Sequence, residues 1–225
     1  MDFQRLLQVS GACRTGHFVL ASGWHSDMFC DFEVLFKPEN ERHLDDVVAY
    51  MVALIYENSS LWPDVIVGPA NGGNKLCECL APDLSEALGY EIKVVLTEKI
   101  RLDGADNFGF QDRDLRLDGR RVLVIDDVLT KGRSTGQVVN IARVIGAEIL
   151  GIVVAVDREG LTSQQLQVPL YRYLIALKTN GYDVPKQGRR ACPFCMDNVP
   201  IDTTVGHGAA EVAKYGQPAS LECGD

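Results

Sequence analysis

The sequence predicts an α/β fold in which a mainly parallel, twisted sheet is flanked by helices. Apolar runs occur at 64–70, 122–125 and 149–156, and the first two are each followed by a loop and an amphipathic helix pattern. Such runs are typical of strands covered on both faces, and strands that alternate with helices imply right-handed crossovers in a parallel sheet. With 225 residues, 46% of them hydrophobic, the chain can form one large domain with an appendage.

The first strand–helix unit follows from the leucine spacing. After the strand at 64–70 and a loop of asparagines and glycines, leucines recur every fourth residue from Leu76 to Leu88. This period predicts a helix that stops at Gly89, and residues 92–96 are predicted to form the next strand.

The second unit starts at the strand 122–125. Apolar side chains then fall at i, i+3, i+4 and i+7 between Val138 and Ile145, which predicts one buried helix face that ends before Gly146. Residues 149–156 are predicted to form the following strand.

Two regions depart from this rhythm. Residues 1–40 contain a short helix pattern and two strand-like runs, and residues 97–117 are polar and contain glycine without any apolar period. A loop of that length inside a compact domain is usually functional or mobile. We therefore expect one domain over 1–180, with 1–40 as a small N-terminal hood and 97–117 as a mobile lid loop. The last segment, 181–225, is expected to be an irregular C-terminal appendage.

Composition excludes several classes of function. The formal net charge of -9 argues against a nucleic-acid surface, since phosphate backbones recruit basic patches. No apolar run approaches the ~20 residues of a membrane helix, and the N-terminus lacks signal-peptide features, so we expect a cytoplasmic protein without membrane contact. The seven scattered cysteines favour free thiols or a metal site over a disulfide framework.

The chemistry concentrates at the end of the second predicted strand. Asp126 and Asp127 follow that strand directly, and the loop 130–135 then offers backbone N–H groups, hydroxyls and Gly132 at the start of a helix. Ligands bind at the carboxyl ends of parallel strands, and such a loop suits a phosphate while carboxylates suit hydroxyls or a metal. A sugar phosphate satisfies both halves. The alternative is a solvated turn with an acidic cap.

Residues 122–135, VLVIDDVLTKGRST, resemble the phosphoribosyl-pyrophosphate (PRPP) motif of the type I phosphoribosyltransferases. Residues 16–31 are similar to the N-terminal segment of the orotate phosphoribosyltransferases, 67–73 to their first pyrophosphate loop and 156–160 to their Asp-Arg turn. The Cys-Pro-Phe-Cys tail is also similar to one bacterial branch of that family. The likeness runs in the same order from residue 15 to about 200.

The resemblance implies a PRPP site. Asp126 and Asp127 would hold the ribose hydroxyls and, through water, Mg²⁺. The other residues that it implies for PRPP binding lie in the two loops: Gly72, Gly73, Thr130, Lys131, Gly132, Arg133, Ser134 and Thr135.

It also implies catalytic and base-binding residues. Lys99 and, as a weaker candidate, Arg101 would reach the pyrophosphate. Arg158 would bind a carboxylate of the acceptor base through its guanidinium fork, and Phe29 would stack on the base. A surface ion pair with its acidic neighbours is the alternative for Arg158, and a core aromatic is the alternative for Phe29.

The implied reaction is Mg²⁺-dependent transfer of phosphoribose from PRPP to orotate, which gives orotidine 5'-monophosphate and pyrophosphate. Transfer to a purine or another base is one alternative. A non-catalytic PRPP-binding regulator is another alternative. It stays open because the lid residues 102–114 contain several acids and a single cation, Arg113. The resemblance implies a homodimer.

Cys192 and Cys195 have the spacing of half a zinc site. His207 and Cys223 could complete four ligands. A lone CxxC in an appendage without metal is the favoured alternative. His17 and His25 are expected to have structural or surface roles, although His25 could also touch the base or the pyrophosphate.

Overall fold

The computed structural model describes residues 2–102 and 104–218, without the side chains of Leu102 and Ala105. The chain forms two compact units. The first contains the residues up to Leu6 and Phe32–Lys178, and the second contains Leu7–Asp31 and the described residues from Thr179 onward. Each unit is therefore built from two separate stretches of chain.

The strands of the described residues are β1 (Cys13–Val19), β2 (His25–Cys30), β3 (Val65–Val67), β4 (Lys93–Val95), β5 (Thr97–Leu102), β6 (Ala105–Phe110), β7 (Arg121–Leu129), β8 (Glu148–Asp157), β9 (Leu170–Ala176) and β10 (Gly181–Tyr182). The α-helices are α1 (Phe3–Val9), α2 (Glu41–Tyr56), α3 (Gly72–Leu88), α4 (Arg133–Val144), α5 (Val184–Gln187), α6 (Pro193–Met196) and α7 (Gly208–Tyr215). None of the helices in this part of the chain is long and apolar enough to cross a membrane.

A five-stranded parallel sheet forms the centre of the first unit and confirms the predicted fold class. Its order is β4-β3-β7-β8-β9, so the chain crosses over through α3 and α4 between parallel strands. The inner strands β3, β7 and β8 are almost wholly apolar because both of their faces are covered. Val122, Val124, Val138 and Ile152 are fully buried in the core between sheet and helices.

The region 97–117, expected as a lid loop, begins with regular structure. Strands β5 and β6 form an antiparallel hairpin in which Lys99 pairs with Phe108 and Thr97 with Phe110. Both phenylalanines are buried in the core cluster that includes residues of α4. This burial holds the hairpin on the first unit, and a closing movement of the lid stays a prediction.

The second unit combines the N-terminal hairpin with the C-terminal segment that was expected to be irregular. Its sheet has the order β1-β2-β10, and α5, α6 and α7 follow in the same unit. Cys13 and Cys30 are paired in the β1–β2 register and are joined by a disulfide, with their Cα atoms 4.2 Å apart. The expectation of free thiols is therefore wrong for this pair, which strand register places opposite each other.

Candidate active site

A polar cavity of about 250 Å³ opens at the carboxyl ends of β3 and β7. It arises because the neighbouring strands end at different heights: β3 stops at Val67, opposite Val124, whereas β7 continues alongside β8 to Leu129. Asp126 and Asp127 thus lie beyond the end of β3 and line the gap. The lining residues come from the β3–α3 and β7–α4 loops: Pro69, Ala70, Gly72, Gly73, Asp126, Asp127, Val128, Leu129, Thr130, Lys131, Gly132, Arg133, Ser134 and Thr135.

The amino ends of α3 and α4 both contribute to this cavity. Helix α3 begins at Gly72 and α4 at Arg133, and the first N–H groups of a helix lack partners within the helix. Their positive end attracts anions. Two such helix ends in one cavity suit a ligand with more than one anionic group.

The two aspartates are held differently. The carboxylate of Asp126 accepts a hydrogen bond from the Thr135 hydroxyl at 2.6 Å and another from the backbone N–H of Asp127 at 3.0 Å. The Asp127 carboxylate accepts through Oδ1 from the N–H of Val128 at 2.7 Å, and its Oδ2 faces Gly72. Asp126 therefore ties the strand end to the start of α4, while Asp127 has an oxygen directed into the cavity.

Burial raises the pKa of the Asp126 carboxyl well above its ordinary value, and the neighbouring Asp127 raises it further by charge repulsion. Burial also raises the pKa of Asp127. Adjacent buried carboxylates are unfavourable without a compensating partner. A ligand that donates hydrogen bonds or brings positive charge relieves this cost, so the electrostatics favour ribose hydroxyls and a cation.

The chemistry of this site fits Mg²⁺. Hard divalent cations prefer carboxylate, phosphate and water oxygens, and Asp126 and Asp127 supply two adjacent carboxylates next to the loop 130–135. Those two residues would hold the ion, directly or through water.

Two positions in the cavity wall require glycine, for different reasons. A Cβ at Gly72 would collide with the carboxylate of Asp127. Gly132, at the N-cap of α4, has a φ of 66°, and a Cβ there would lie 2.7 Å from the side chain of Leu166. Glycine is the residue that adopts this left-handed conformation without steric cost.

Lys99 and Arg101 lie on the hairpin and do not line the cavity. Both are exposed, and strand alternation places them on the same side of β5 as Thr97. Thr97 is buried: its hydroxyl donates to the carbonyl of Gly68 at 2.7 Å, and its N–H donates to the side-chain oxygen of Asn74 at 3.1 Å. The hairpin base is thus attached to the β3–α3 loop.

Sequence reasoning missed Thr97 and Asn74. The Asn74 amide also donates to the carbonyl of Thr97 at 2.7 Å, so the two residues exchange hydrogen bonds across 23 positions of chain. No local motif marks a pair of this kind. Arg113, the lid cation noted in the sequence, forms an ion pair with Glu98 of the same hairpin.

Arg158 directly follows β8, whose last residue pairs with Leu129 at the end of β7. Its backbone N–H donates to the carbonyl of Leu129 at 2.9 Å, and its side chain is half-buried. Asp157 is engaged locally, since its carboxylate accepts from the N–H groups of Glu159 and Gly160. Arg158 therefore lies at the same edge of the sheet as the cavity, although it is not among the residues that line it.

Phe29 lies in the second unit, on β2. Its ring packs against Phe18, with ring centroids 5.8 Å apart. This contact agrees with the core-aromatic alternative, and stacking on a base stays a prediction.

A larger cavity, of about 580 Å³, lies within the second unit between the N-terminal hairpin and the helices of the C-terminal segment. Its lining is mainly aliphatic, with the charged side chains Arg189, Glu211 and Lys214. Glu211 is the one carboxylate residue among its described lining residues. The smaller cavity has the paired carboxylates and helix ends, so it is the candidate active site.

The CxxC pair meets histidines that sequence reasoning did not assign to it. Cys192 and Cys195 lie with His17 and His25 in one buried cluster. His207, which the sequence offered as a possible further ligand, is not part of this cluster, whose histidines come from the β1–β2 hairpin; Cys223 lies outside the described residues. Burial lowers the pKa of His17 and lowers that of His25 to about 4, so both imidazoles are neutral at pH 7.

Comparisons with known proteins agree with this geometry. The family model of the phosphoribosyl transferase domain matches residues 40–170. An orotate phosphoribosyltransferase of Thermus thermophilus is 30% identical over 202 residues, which cover 90% of this chain and 99% of that protein. Another from Caldanaerobacter subterraneus is 28% identical over 187 residues, covering 83% and 86% of the two chains.

Solved structures show the same fold. The crystal structure of orotate phosphoribosyltransferase from Aeropyrum pernix has a TM-score of 0.59 and 24% identity, covering 77% of this chain and 92% of that one. Adenine phosphoribosyltransferase from Leishmania tarentolae has a TM-score of 0.54 and 18% identity, covering 78% and 88%. The fold alone thus accommodates different bases. From the matched domain, the paired aspartates and the cavity between two helix ends, the chain belongs to the type I phosphoribosyltransferase family.

Proposed function

We propose that this protein transfers phosphoribose from PRPP to orotate, giving orotidine 5'-monophosphate and pyrophosphate. The observation that carries the proposal is the cavity in which Asp126 and Asp127 face the phosphate-binding loop 130–135. A ligand with hydroxyls at one end and a phosphate at the other matches both walls of this cavity, the one formed by the aspartates and the one formed by the loop.

Each wall has a distinct task in this proposal. The N–H groups of loop 130–135 hold the 5'-phosphate, and the carboxylate of Asp127 accepts hydrogen bonds from the ribose hydroxyls. Asp126 positions Thr135 and the start of α4 through their 2.6 Å hydrogen bond. Together they fix the ribose so that its C1 faces the incoming base.

Leaving-group departure builds positive charge on the ribose ring and negative charge on the pyrophosphate. The N–H groups at the start of α3 and the ammonium of Lys99 stabilise the pyrophosphate, with Arg101 as a second cation. When bound, Mg²⁺ supplies Lewis-acid stabilisation of that leaving group. Closure of the β5–β6 hairpin excludes water from the reactive ring.

Orotate is the acceptor that the chemistry around Arg158 favours. The guanidinium of Arg158 can form two hydrogen bonds with a carboxylate. Orotate has a carboxylate, and the purine bases lack one. The curated relatives at 28–30% identity over most of the chain are named orotate phosphoribosyltransferases. Phe29 is the residue proposed to stack on the base.

The test is an assay of pyrophosphate release with purified protein, PRPP, Mg²⁺ and separate bases: orotate, uracil, adenine and hypoxanthine. We expect turnover with orotate and none with uracil, because uracil lacks the carboxylate. Arg158→Ala should raise KM for orotate by about 10- to 100-fold, equivalent to the loss of a charge-assisted bond, and leave KM for PRPP nearly unchanged.

Turnover with a purine alone would contradict orotate specificity but leave the phosphoribosyl transfer intact. Protection against thermal unfolding by PRPP, without turnover of any base, would instead indicate a PRPP-binding regulator. Equal effects of Arg158→Ala on both KM values would remove its role in base binding.

A further inference from the structure

Four metal-ligating side chains converge inside the second unit. The ligand atoms of His17, His25, Cys192 and Cys195 all lie within 4.8 Å of one another, and all four residues are buried. Burial of such polar groups costs free energy because each loses its contact with water. A buried cluster of them therefore indicates a partner that all four bind.

The separations match a tetrahedral zinc site. Sγ of Cys195 lies 3.4 Å from Nδ1 of His25 and 3.7 Å from Nε2 of His17, and Sγ of Cys192 lies 3.6 Å from the same Nε2. With bonds of about 2.0–2.1 Å to nitrogen and about 2.3 Å to sulfur, tetrahedral geometry places neighbouring N and S ligands about 3.5 Å apart. The two imidazole nitrogens are closer than this geometry requires: they lie 2.7 Å apart and must separate by about 0.6 Å.

A backbone carbonyl lies behind the His17 ring and a carboxylate lies behind the His25 ring. Nδ1 of His17 lies 2.8 Å from the carbonyl of Val199 and must donate to it, which leaves Nε2 with its lone pair directed into the cluster. On His25 the outer nitrogen Nε2 lies 3.8 Å from the carboxylate of Glu211. A carboxylate or carbonyl behind each ligating histidine is the usual outer arrangement of metal sites.

Without a metal, the tautomers conflict. Since Nε2 of His17 is an acceptor, Nδ1 of a neutral His25 must carry the proton that joins the two rings. Nε2 of His25 then has a bare lone pair facing Glu211, and this nitrogen has no hydrogen-bond partner among the described residues. With a metal on Nδ1, the proton would lie on Nε2, on the side of the Glu211 carboxylate, and the two tautomers would no longer conflict.

Local structure brings these four residues together. His17 lies within a register irregularity of β1, between Thr15 and Phe18, of the kind that turns a side chain toward a functional position. His25 opens β2, opposite Val19, so the two histidines share one face of the hairpin.

The cysteines flank a single helical turn. Cys192 is the N-cap of α6 and Cys195 lies within it. Phe194, between them, stacks on the His17 ring with centroids 5.4 Å apart and an interplanar angle of 22°. The turn therefore directs both sulfurs to the side where the histidines lie.

We propose that His17, His25, Cys192 and Cys195 bind one structural Zn²⁺ that fastens the N-terminal hairpin to the C-terminal segment within the second unit. Four protein ligands close the coordination sphere and leave no position for a substrate, as in structural zinc sites. Two thiols release their protons on binding, so the two thiolates balance the charge of the ion in the buried site.

Metal analysis of the full-length protein, purified without chelators, is the first test. We expect about one zinc per chain, a sulfur and nitrogen shell in zinc X-ray absorption, and the visible bands of tetrahedral cobalt after exchange with Co²⁺. Cys195→Ser should lose the metal, while Cys195→His, which keeps a ligand of the same site, should retain it.

Cys79→Ser is the matched control, because Cys79 is a free cysteine on α3 in the first unit. His207→Ala is a second control, and both variants should keep zinc at the wild-type level. The absorption spectrum is measured on wild-type protein, so it decides the ligand set even if a cysteine variant does not fold.

The stapling role has its own measurement. Compared with zinc-loaded protein under the same reducing conditions, in which the Cys13–Cys30 disulfide is also open, removing zinc with a chelator should accelerate amide hydrogen exchange in residues 7–31 and 179–218 and leave 32–178 nearly unchanged. Zinc below a tenth of an ion per chain after growth with added zinc, an oxygen shell, or a Cys192–Cys195 disulfide would overturn the site. Unchanged exchange on zinc removal would overturn the stapling role.

Discussion

Asp126 and Asp127 are adjacent in sequence, yet their side chains have different surroundings. Asp126 is 7% exposed and both of its oxygens accept hydrogen bonds from the protein, whereas Asp127 is half-buried and directs Oδ2 toward Gly72. A carboxylate already engaged by its own fold serves to position its neighbours. One with an available oxygen serves to bind the ligand.

This difference predicts separate kinetic effects. Asp127→Asn should lower kcat/KM for PRPP by about 10- to 100-fold, because a charge-assisted hydrogen bond to the ribose is weakened.

Asp126→Asn should also lower activity. Burial raises the pKa of this carboxyl, so its charged form destabilises the folded protein at pH 7, and the neutral variant should unfold at the same or a higher temperature. Steady-state kinetics and thermal unfolding check both; wild-type turnover by the double variant would refute the ribose assignment.

Gly132 offers a second test at the level of a single residue. Gly132→Ala should destabilise the protein by about 1–2 kcal/mol through its left-handed backbone conformation, and it should also raise KM for PRPP because loop 130–135 shifts. Gly119→Ala is the matched control: its φ is 65°, close to the 66° of Gly132, but nothing lies near its Cβ position. We expect similar strain in the control with unchanged KM; equal KM effects would place the cause in stability alone.

Among the elements, the β5–β6 hairpin decides where Lys99 lies. The hydrogen bonds of Thr97 with Gly68 and Asn74 attach the hairpin base to the loop that lines the cavity. We infer that this attachment sets the reach of Lys99 toward the pyrophosphate.

Thr97→Val removes the hydroxyl and keeps the shape of the side chain. The buried carbonyl of Gly68 then loses its donor, so we expect about 1–3 kcal/mol of destabilisation and a lower kcat from misplacement of the hairpin. Ser85→Ala, which removes a hydroxyl at the other end of α3, is the control and should affect stability without lowering kcat. Unchanged kcat in Thr97→Val would show that the attachment has no part in catalysis.

The elements differ in how far the sequence predicted them. The helix from Leu76 to Leu88 had a regular leucine spacing and the strands at 122–125 and 149–156 were continuous apolar runs, and α3, β7 and β8 occupy those places. Helix α2 and strand β9 were missed. Strand β9, with the sequence LYRYLIA, lies at the edge of the sheet, and its pairing with β8 comes from tertiary context.

At the scale of the whole molecule, stability should depend on pH through Asp64 and Arg121, which join the starts of β3 and β7. The Arg121 guanidinium donates to Asp64 at 2.9 Å and lowers the pKa of that carboxyl. A lowered folded-state pKa contributes stability that is present above the unfolded value of about 4 and is lost as pH falls through the folded value.

Asp64→Asn should therefore cost about 1 kcal/mol at pH 7, a value limited by solvent screening because the Arg121 side chain is 42% exposed. The difference from wild type should shrink as pH falls from about 5 toward 3. Urea unfolding at several pH values measures it, with Asp83→Asn on the exposed face of α3 as the control. A difference that stays constant with pH would contradict the ion pair as its cause.

The sequence by itself determined the parallel sheet, the loop 130–135 and the paired aspartates at the end of a strand, because each is encoded by contiguous residues. The opening between β3 and β7 could not be predicted, since it depends on where two strands end relative to each other.

Only the tertiary structure decided which side chains meet from distant positions. Asn74 and Thr97, Asp64 and Arg121, and His17 with Cys192, 175 positions apart, are joined by packing of separate elements. A local sequence pattern predicts only the strand or helix in which a residue itself lies. Partners from elsewhere in the chain are chosen by the energy of the whole core, which no short window of sequence contains.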